Sequence, residues 1–278
     1  MADIKRINGK YYDFGTKNES FLITAKELKT LGIQNYYFML RIDNPRVADI
    51  DPFNPNITKQ EIQALWIEYQ HNMWIFARDC VRLRTGKGIV PLALHRGLAA
   101  AYWCFERSQD FCLTEPRQTY KTSGCLGGPI LWAFQIAQNM KGHFFGKETD
   151  NTKRNLLTLK EDIELLPEWM QFTRYTDDDG KVKKSRRATE RLENGLRHNS
   201  IEIHPKATSL AHAQGMGRGG SGSIIYFDEI EHMPYFSEVL SNSAPLYLTT
   251  AENAAAAGQP HCRVMTTTPK PCHVTSYL

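Results

Sequence analysis

Lys121 and Thr122 close the segment Phe111-Cys112-Leu113-Thr114-Glu115-Pro116-Arg117-Gln118-Thr119-Tyr120-Lys121-Thr122. A short apolar run passes into a polar loop, the loop ends on a lysine and a hydroxyl residue, and a stretch that predicts a helix follows. Phosphate binding needs this order of residue types. Backbone N–H groups at a helix N-terminus face the phosphates, the ammonium reaches the β/γ oxygens, and the hydroxyl ligates Mg²⁺. The spacing is that of G-x-x-x-x-G-K-[ST], with Glu115 at the first glycine position and Tyr120 at the second. A lysine–threonine pair behind a strand also opens ordinary surface helices, so the segment is not decisive by itself.

Two further pieces follow along the chain. Gly222-Ser223-Ile224-Ile225-Tyr226-Phe227-Asp228-Glu229 is an apolar run ending in adjacent acids. Its β-branched and aromatic residues predict a buried parallel strand, and acids at the C-terminal end of such a strand suit a crevice site. Asp228 is placed to hold Mg²⁺ and Glu229 to polarise an attacking water. Cys262-Arg263-Val264-Met265-Thr266-Thr267-Thr268-Pro269 predicts another short strand, ending in hydroxyls able to sense a γ-phosphate or its water and broken by Pro269. Each piece also reads as a plain strand that exits into solvent. Their order counts for more than any one of them.

Taken together, Pro116-Arg117-Gln118-Thr119-Tyr120-Lys121-Thr122, the Arg218-Gly219 that precedes the acidic strand, Asp228-Glu229 and Thr266-Thr267-Thr268-Pro269 resemble the large terminase of tailed bacteriophages, the DNA-packaging motor. The resemblance spans roughly residues 55–278, and Asn194–Gly220 fits the strand and flexible loop that the family carries before its Arg-Gly. It implies an α/β P-loop NTPase of the ASCE/RecA-like kind, ATP and Mg²⁺ as ligands, and residues 116–122 with Asp228 as the nucleotide site. It makes Lys121 and Thr122 the phosphate and Mg²⁺ residues, Asp228 the metal-side carboxylate, Glu229 the catalytic carboxylate and Thr266 to Thr268 the coupling motif. Arg117 matches an arginine inside the loop, and Arg218 one able to reach a neighbour's nucleotide.

The resemblance further implies double-stranded DNA bound without sequence preference, a portal protein and a small terminase subunit as partners, a homo-oligomeric ring on the procapsid, and action in the host-cell cytoplasm. Tyr120 departs from the pattern where glycine would tolerate unusual dihedrals. Leu94-His95-Arg96-Gly97-Leu98 lacks the glutamine that reads adenine in the family. The family's nuclease domain would lie C-terminal to this chain, which ends nine residues after Pro269; the expectation is the motor part of a longer protein. A helicase-type nucleic-acid-dependent ATPase and a non-catalytic DNA-binding or scaffold protein with a degenerate loop stay open beside the motor.

The elements that must position these residues can be outlined. Strands over 111–114, 224–227 and 262–265 are expected to be parallel and central in a mostly parallel sheet flanked by helices on both faces. The nucleotide would lie at their C-terminal ends. Residues 1–54 form an N-terminal arm, a helical and extended accessory region with an extended stretch over Tyr36–Ile42, and residues 55–278 form the ATPase domain. Thr58 and Glu61 stand in capping-box spacing ahead of a helix through about Cys80, with Ile62, Leu65, Trp66, Tyr69, Met73 and Phe76 as its core stripe. A second helix is expected over Leu98–Phe105, a third from Thr122 to Met140 with Gly127-Gly128 permitting close packing, and a fourth within Leu156–Met170. Asp177-Asp178-Asp179-Gly180 reads as a turn. The basic run Lys181-Val182-Lys183-Lys184-Ser185-Arg186-Arg187 is either a solvated loop or a contact for DNA phosphates. His232 lies just behind the acids, lining the site or facing solvent.

Composition sets outer bounds. With 278 residues, 41% of them hydrophobic, the chain can bury one large core and an accessory subdomain. The six cysteines form no C-x-x-C pair, which argues against a zinc site. No apolar run reaches membrane-spanning length and the N-terminus does not read as a signal peptide. A net charge of +4 is too small to point to nucleic acid by itself.

Overall fold

Glycine, aromatic and short apolar runs open the chain, and they build a small antiparallel sheet. Strands β1 (Ile4–Ile7) and β2 (Lys10–Asp13) pair as a hairpin, and β3 (Arg41–Ile42) joins β2 after helix α1 (Glu19–Thr30). The computed structural model describes residues 3–86, 88–116, 119–174, 191–217 and 220–269. The stretch Tyr36–Ile42, expected to be extended, instead contains a 3₁₀ turn at Phe38–Leu40 before β3. The turn buries the consecutive residues Met39 and Leu40 together; on a strand they would point to opposite faces. This region is tied to the rest of the molecule. Asn18 Nδ2 donates to the carbonyls of Arg78 and Leu92, and Thr24 donates to that of Leu94.

Thr58 and Glu61 form the expected capping box on α2 (Lys59–His71). The long helix expected through Cys80 is broken at Asn72, and α3 (Met73–Asp79) starts afresh. Asn72 Oδ1 accepts from the Ile75 N–H while its amide donates to Arg41 O and Glu68, the kind of local side-chain bonding that competes with helix continuity. A hairpin of β4 (Arg82–Thr85) and β5 (Gly88–Pro91) leads to α4 (Arg96–Glu106).

From β6 (Phe111–Thr114) the chain enters α5 (Lys121–Cys125), passes a π-helical turn at Leu126–Ile130, and continues as α6 (Leu131–Ile136). Pro129 lies in that turn. It has no N–H to donate and crowds the preceding turn, which widens the helix locally. The glycines here serve packing, as expected: a Cβ on Gly128 would lie 1.8 Å from the Tyr102 hydroxyl, and one on Gly127 3.0 Å from Leu83. The helix ends at Ile136 rather than Met140, and β7 (Lys141–Gly146) follows, a strand the sequence reading missed. Helix α7 (Thr149–Glu164) starts before Leu156, and Pro167 lies beyond its end. The remaining elements are β8 (Thr173–Arg174), β9 (Arg191–Asn194), β10 (Asn199–Ile203), α8 (Leu210–Gly215), β11 (Ile224–Asp228), α9 (Phe236–Ala256) and β12 (Cys262–Thr267).

The main sheet has the order β6-β12-β11-β7-β10-β9-β8. β6, β12, β11, β7 and β10 run parallel; β9 and β8 are antiparallel additions at one end. The expected class, an α/β fold with a mostly parallel sheet, is the one found. One part of that expectation is corrected: β6, which leads into the loop, is the edge strand, and β11, β12 and the unforeseen β7 form the centre. Alternation along the strands splits the core. Ile224 and Tyr226 of β11 join the large cluster with Phe144 and the helices from α2 to α7, whereas Ile225 and Phe227 join Phe145 and the apolar residues of α8 and α9 on the opposite face. Among the described residues no helix is long and apolar enough to cross a membrane.

Candidate nucleotide site

Parallel register brings three strand tips level. Asp228 pairs with Thr266, and Thr267 with Thr114, so the residues after β6, β11 and β12 emerge at one edge of the sheet. The Glu115 N–H donates to Thr267 O at 3.2 Å and fastens the start of the loop to β12.

Two residues at this edge adopt left-handed backbone conformations that L-residues seldom take. Tyr120 caps α5 with φ 60° and ψ 19°, and Glu229 follows β11 with φ 55° and ψ 48°. Tyr120 thus has the conformation for which phosphate loops use glycine, and it is 51% exposed. The next residue, Lys121, is buried, and its Nζ donates to Thr268 Oγ1 at 2.6 Å and to Glu229 Oε1 at 3.3 Å. Thr268 also donates to Glu229 Oε1. Loop lysine, second acid and strand-tip hydroxyl therefore form one hydrogen-bonded group.

Asp228 is the centre of a second group. Thr266 Oγ1 donates to its Oδ1 at 2.7 Å, Thr122 Oγ1 reaches the same oxygen at 3.4 Å, and the Tyr226 hydroxyl lies 3.3 Å from it. Asn155 Nδ2, from α7, donates to Oδ2 at 2.8 Å. Burial and the Asp228 charge push the Tyr226 phenol well above its ordinary range, so it stays a neutral hydrogen-bonding group. Thr267 faces elsewhere; its Oγ1 accepts from the Glu231 N–H at 3.3 Å.

The structure therefore gathers Lys121, Thr122, Asp228, Glu229, Thr266 and Thr268 at one place. Thr119 Oγ1 donates to Pro116 O within the loop. His232 approaches, with Nε2 4.0 Å from Glu229 Oε2. Arg117, Gln118 and Arg218, the turn at 177–180 and the basic run at 181–187 lie outside the described residues. Two contributors were missed from the sequence. Tyr226 carried a signal, because two residues before Asp228 on a strand is the same face. Asn155 carried none.

Two donors here would fit a Mg²⁺ ion. Thr122 Oγ1 and Asp228 Oδ1 are hard oxygens within reach of one small cation. Among the described residues no cluster of three or more histidine, cysteine or acidic side chains offers an all-protein metal cage.

The fold is thus α/β, a mostly parallel sheet with a lysine-ending loop behind one strand and paired acids at the tip of another. Solved structures with similarity to the chain include the large terminase of bacteriophage HK97, with TM-score 0.43 and 12% identity, covering 64% of this chain and 33% of that one. Another is the large terminase ATPase domain of a Thermus phage, with TM-score 0.41 and 16% identity over 64% and 65% of the two chains. A third is the large terminase of a thermophilic bacteriophage in complex with ADP, with TM-score 0.42 and 14% identity over 62% and 38%. The chain thus spans between a third and two thirds of these structures. No protein-family model matches the chain, and no curated protein matches it.

Proposed function

We propose that this chain is the ATP-hydrolysing motor domain of a viral DNA-packaging terminase, coupling hydrolysis to translocation of double-stranded DNA into a procapsid. The observation that carries the ATPase part is the position of Lys121 Nζ, 2.6 Å from Thr268 and 3.3 Å from Glu229, beside the Thr122–Asp228 pair. A buried ammonium among oxygens at strand ends suits a polyphosphate, and a carboxylate next to it suits activation of water. The motor part is supported by the motif order given above, from the loop through Asp228-Glu229 to the triple threonine.

Chemistry follows from these contacts. Phosphate oxygens of ATP compete with Glu229 for Lys121, and the freed Oε1 then accepts a hydrogen bond from the attacking water. The water oxygen attacks the γ-phosphorus, a water proton passes to Glu229 Oε1, the bond to the bridging oxygen breaks, and ADP and phosphate result. Thr122 and Asp228 would hold Mg²⁺, which when bound neutralises phosphate charge. Arg117 in cis, or Arg218 from a neighbouring subunit in a ring, is assigned to the charge that develops on the γ-phosphate. Thr266 and Thr268 tie both acids to β12, and a change in nucleotide state is relayed along that strand. In this reading the partners are double-stranded DNA, a portal protein and a small terminase subunit, in the host-cell cytoplasm.

The test is Glu229→Gln. Nucleotide affinity should stay within a few-fold while turnover falls by about two orders of magnitude or more. Unchanged turnover would remove Glu229 from the chemistry. Equal stimulation of the wild type by duplexes of unrelated sequence tests the motor layer; a strong sequence preference counts against it.

A further inference from the structure

We propose that His95, Gly97 and Glu115 form a clamp that fastens the phosphate loop at residues 115 and 119, with His95 and Glu115 acting as positioning residues for the nucleotide; this rests on the nucleotide-site reading above. The loop lacks glycine at both places where the pattern has one. Its first such position holds Glu115, whose side chain is 14% exposed. The carboxylate lodges against the start of α4, with Oε1 3.6 Å from His95 Nδ1. A Cβ built on Gly97 would meet Oε1 at 1.8 Å, so only glycine leaves room for the carboxylate there.

The fit is electrostatic as well as steric. Gly97 is the second residue of an eleven-residue helix with no acidic residue in its first turn and no side-chain cap. A carboxylate at that end faces the positive pole of the helix. Glu115 Oε2 is buried without a hydrogen-bond partner, so the carboxyl group is held by its packing against the helix start and the edge of the imidazole.

The same imidazole grips the far side of the loop. His95 Nε2 lies 3.0 Å from Thr119 O. A carbonyl can only accept, so Nε2 carries the proton. One side chain thus touches residue 115 at the loop's entry and residue 119 just before the strained Tyr120. Helix α4 is itself fixed to α5 behind the loop. Tyr102 donates to Gly124 O at 2.8 Å, and a Cβ on Gly124 would lie 2.5 Å from Leu98. Side chains at the start of a packed helix thus hold the loop at the residues that flank its two missing glycines. The contact to Thr119 lies one residue before Tyr120, whose φ is 60°.

The experiment compares His95→Ala, His95→Gln, Glu115→Ala and Gly97→Ala with the wild type. It measures amide exchange of residues 119–124 without nucleotide, Kd for ATP-γ-S, kcat and KM for ATP, and thermal midpoint. His95→Ala and Glu115→Ala should speed exchange in the loop and raise Kd and KM by about tenfold, with kcat within about twofold, as expected for lost positioning rather than lost chemistry. Gly97→Ala should do the same by displacing the carboxylate. His95→Gln can still donate to Thr119 O and should recover most of the affinity. Wild-type exchange and affinity in all three alanine variants would overturn the clamp and leave the nucleotide-site reading intact. A uniform loss of folding stability with no rescue by glutamine would overturn it as well, reducing these residues to structural roles. If the wild type binds no ATP-γ-S, the nucleotide reading fails, and the exchange comparison alone still decides whether the clamp orders the loop.

Discussion

Asp228 and Asp162 are almost equally buried, at 6% and 3% exposure, and they could hardly be treated more differently. Around Asp228 stand Thr122, Thr266, Tyr226 and Asn155, all within hydrogen-bond reach. Asp162 has a carboxylate oxygen with no partner, and burial pushes its carboxyl up to about 8. Burial alone therefore does not mark a site. A carboxylate kept ionised in the interior needs donors arranged around it, whereas one without donors takes up its proton and becomes a neutral core group. Both environments involve the same helix, since Asn155 and Asp162 lie seven residues apart on α7, on one face by helical periodicity.

The contrast breaks most sharply by amide substitution at both positions. Asp228→Asn removes the charge at the centre of the network and should lower ATP turnover by about a hundredfold or more, the scale of a lost charge-stabilising group. Asp162→Asn replaces a carboxyl that is already neutral and should leave turnover within about twofold. A steady-state assay on the two variants decides. Comparable losses in both would mean that Asp162 takes part in the chemistry and that the distinction drawn from hydrogen bonding is wrong.

A smaller effect is expected at Asn155. Its amide is the one donor to Asp228 Oδ2 among the described contacts. Asn155→Ala leaves that oxygen short of a partner, at a cost of about 1–3 kcal/mol to the site, and should reduce turnover by about tenfold with the protein still folded. Turnover within twofold of wild type would show that Thr122, Thr266 and Tyr226 suffice to hold Asp228.

The next prediction concerns stability and pH. An aspartate in the unfolded chain has its pKa near 3.9, while folded Asp162 titrates at about 8. Below about pH 4 both states hold the proton. Between about 4 and 8 the unfolded chain releases it and the native protein does not, so stability falls as pH rises and levels off above about 8. Asp162→Asn should remove that slope: the difference in thermal midpoint between variant and wild type should grow from pH 5 to pH 8 in favour of the variant. Taking the difference cancels His204, which burial pushes down to about 4 and which contributes the opposite slope at lower pH. Lys160, pushed down to about 8, acts above this window. A constant difference across pH would mean that the Asp162 carboxyl is ionised in the native state.

The contrast also shows what was legible in the sequence. Asp228 could be singled out because a run of β-branched and aromatic residues ends on it, and in a parallel sheet that end faces the crevice. Lys121, Thr122 and the threonines were readable for the same reason. The order of loop, acids and hydroxyls prescribed their convergence, and the structure brings them together; their catalytic roles remain proposals. Asn155 was not readable, because one polar residue among several on an amphipathic helix carries no mark of the strand it will face. Nor was β7, whose Lys-Gly-His-Phe-Phe-Gly contains no β-branched residue and carries glycine near both ends. The edge position of β6 escaped too, since strand order depends on pairings between residues more than a hundred positions apart.

The smallest effect is expected at Tyr120, where the cost of an unusual placement lies in the backbone rather than in a charge. At φ 60° and ψ 19° the residue is in the left-handed region, which disfavours an L-residue by about 1–2 kcal/mol. Glycine removes that strain but adds about 0.5–1 kcal/mol of unfolded-state freedom. Tyr120→Gly should therefore shift stability upward by about 0–1.5 kcal/mol, and nucleotide affinity should be unchanged or tighter by a few-fold. The ring is about half exposed and makes no hydrogen bond among the described contacts, so its loss alone should matter little. Tyr120→Ala separates the two contributions, because it deletes the ring and keeps the strain. Affinity equal to wild type in Tyr120→Ala and equal or tighter in Tyr120→Gly is the expected pair of results in a titration with ATP-γ-S. A clear loss of affinity in both would show that the ring itself contacts the nucleotide, and Tyr120 would then be a ligand-binding side chain rather than a strained stand-in for glycine.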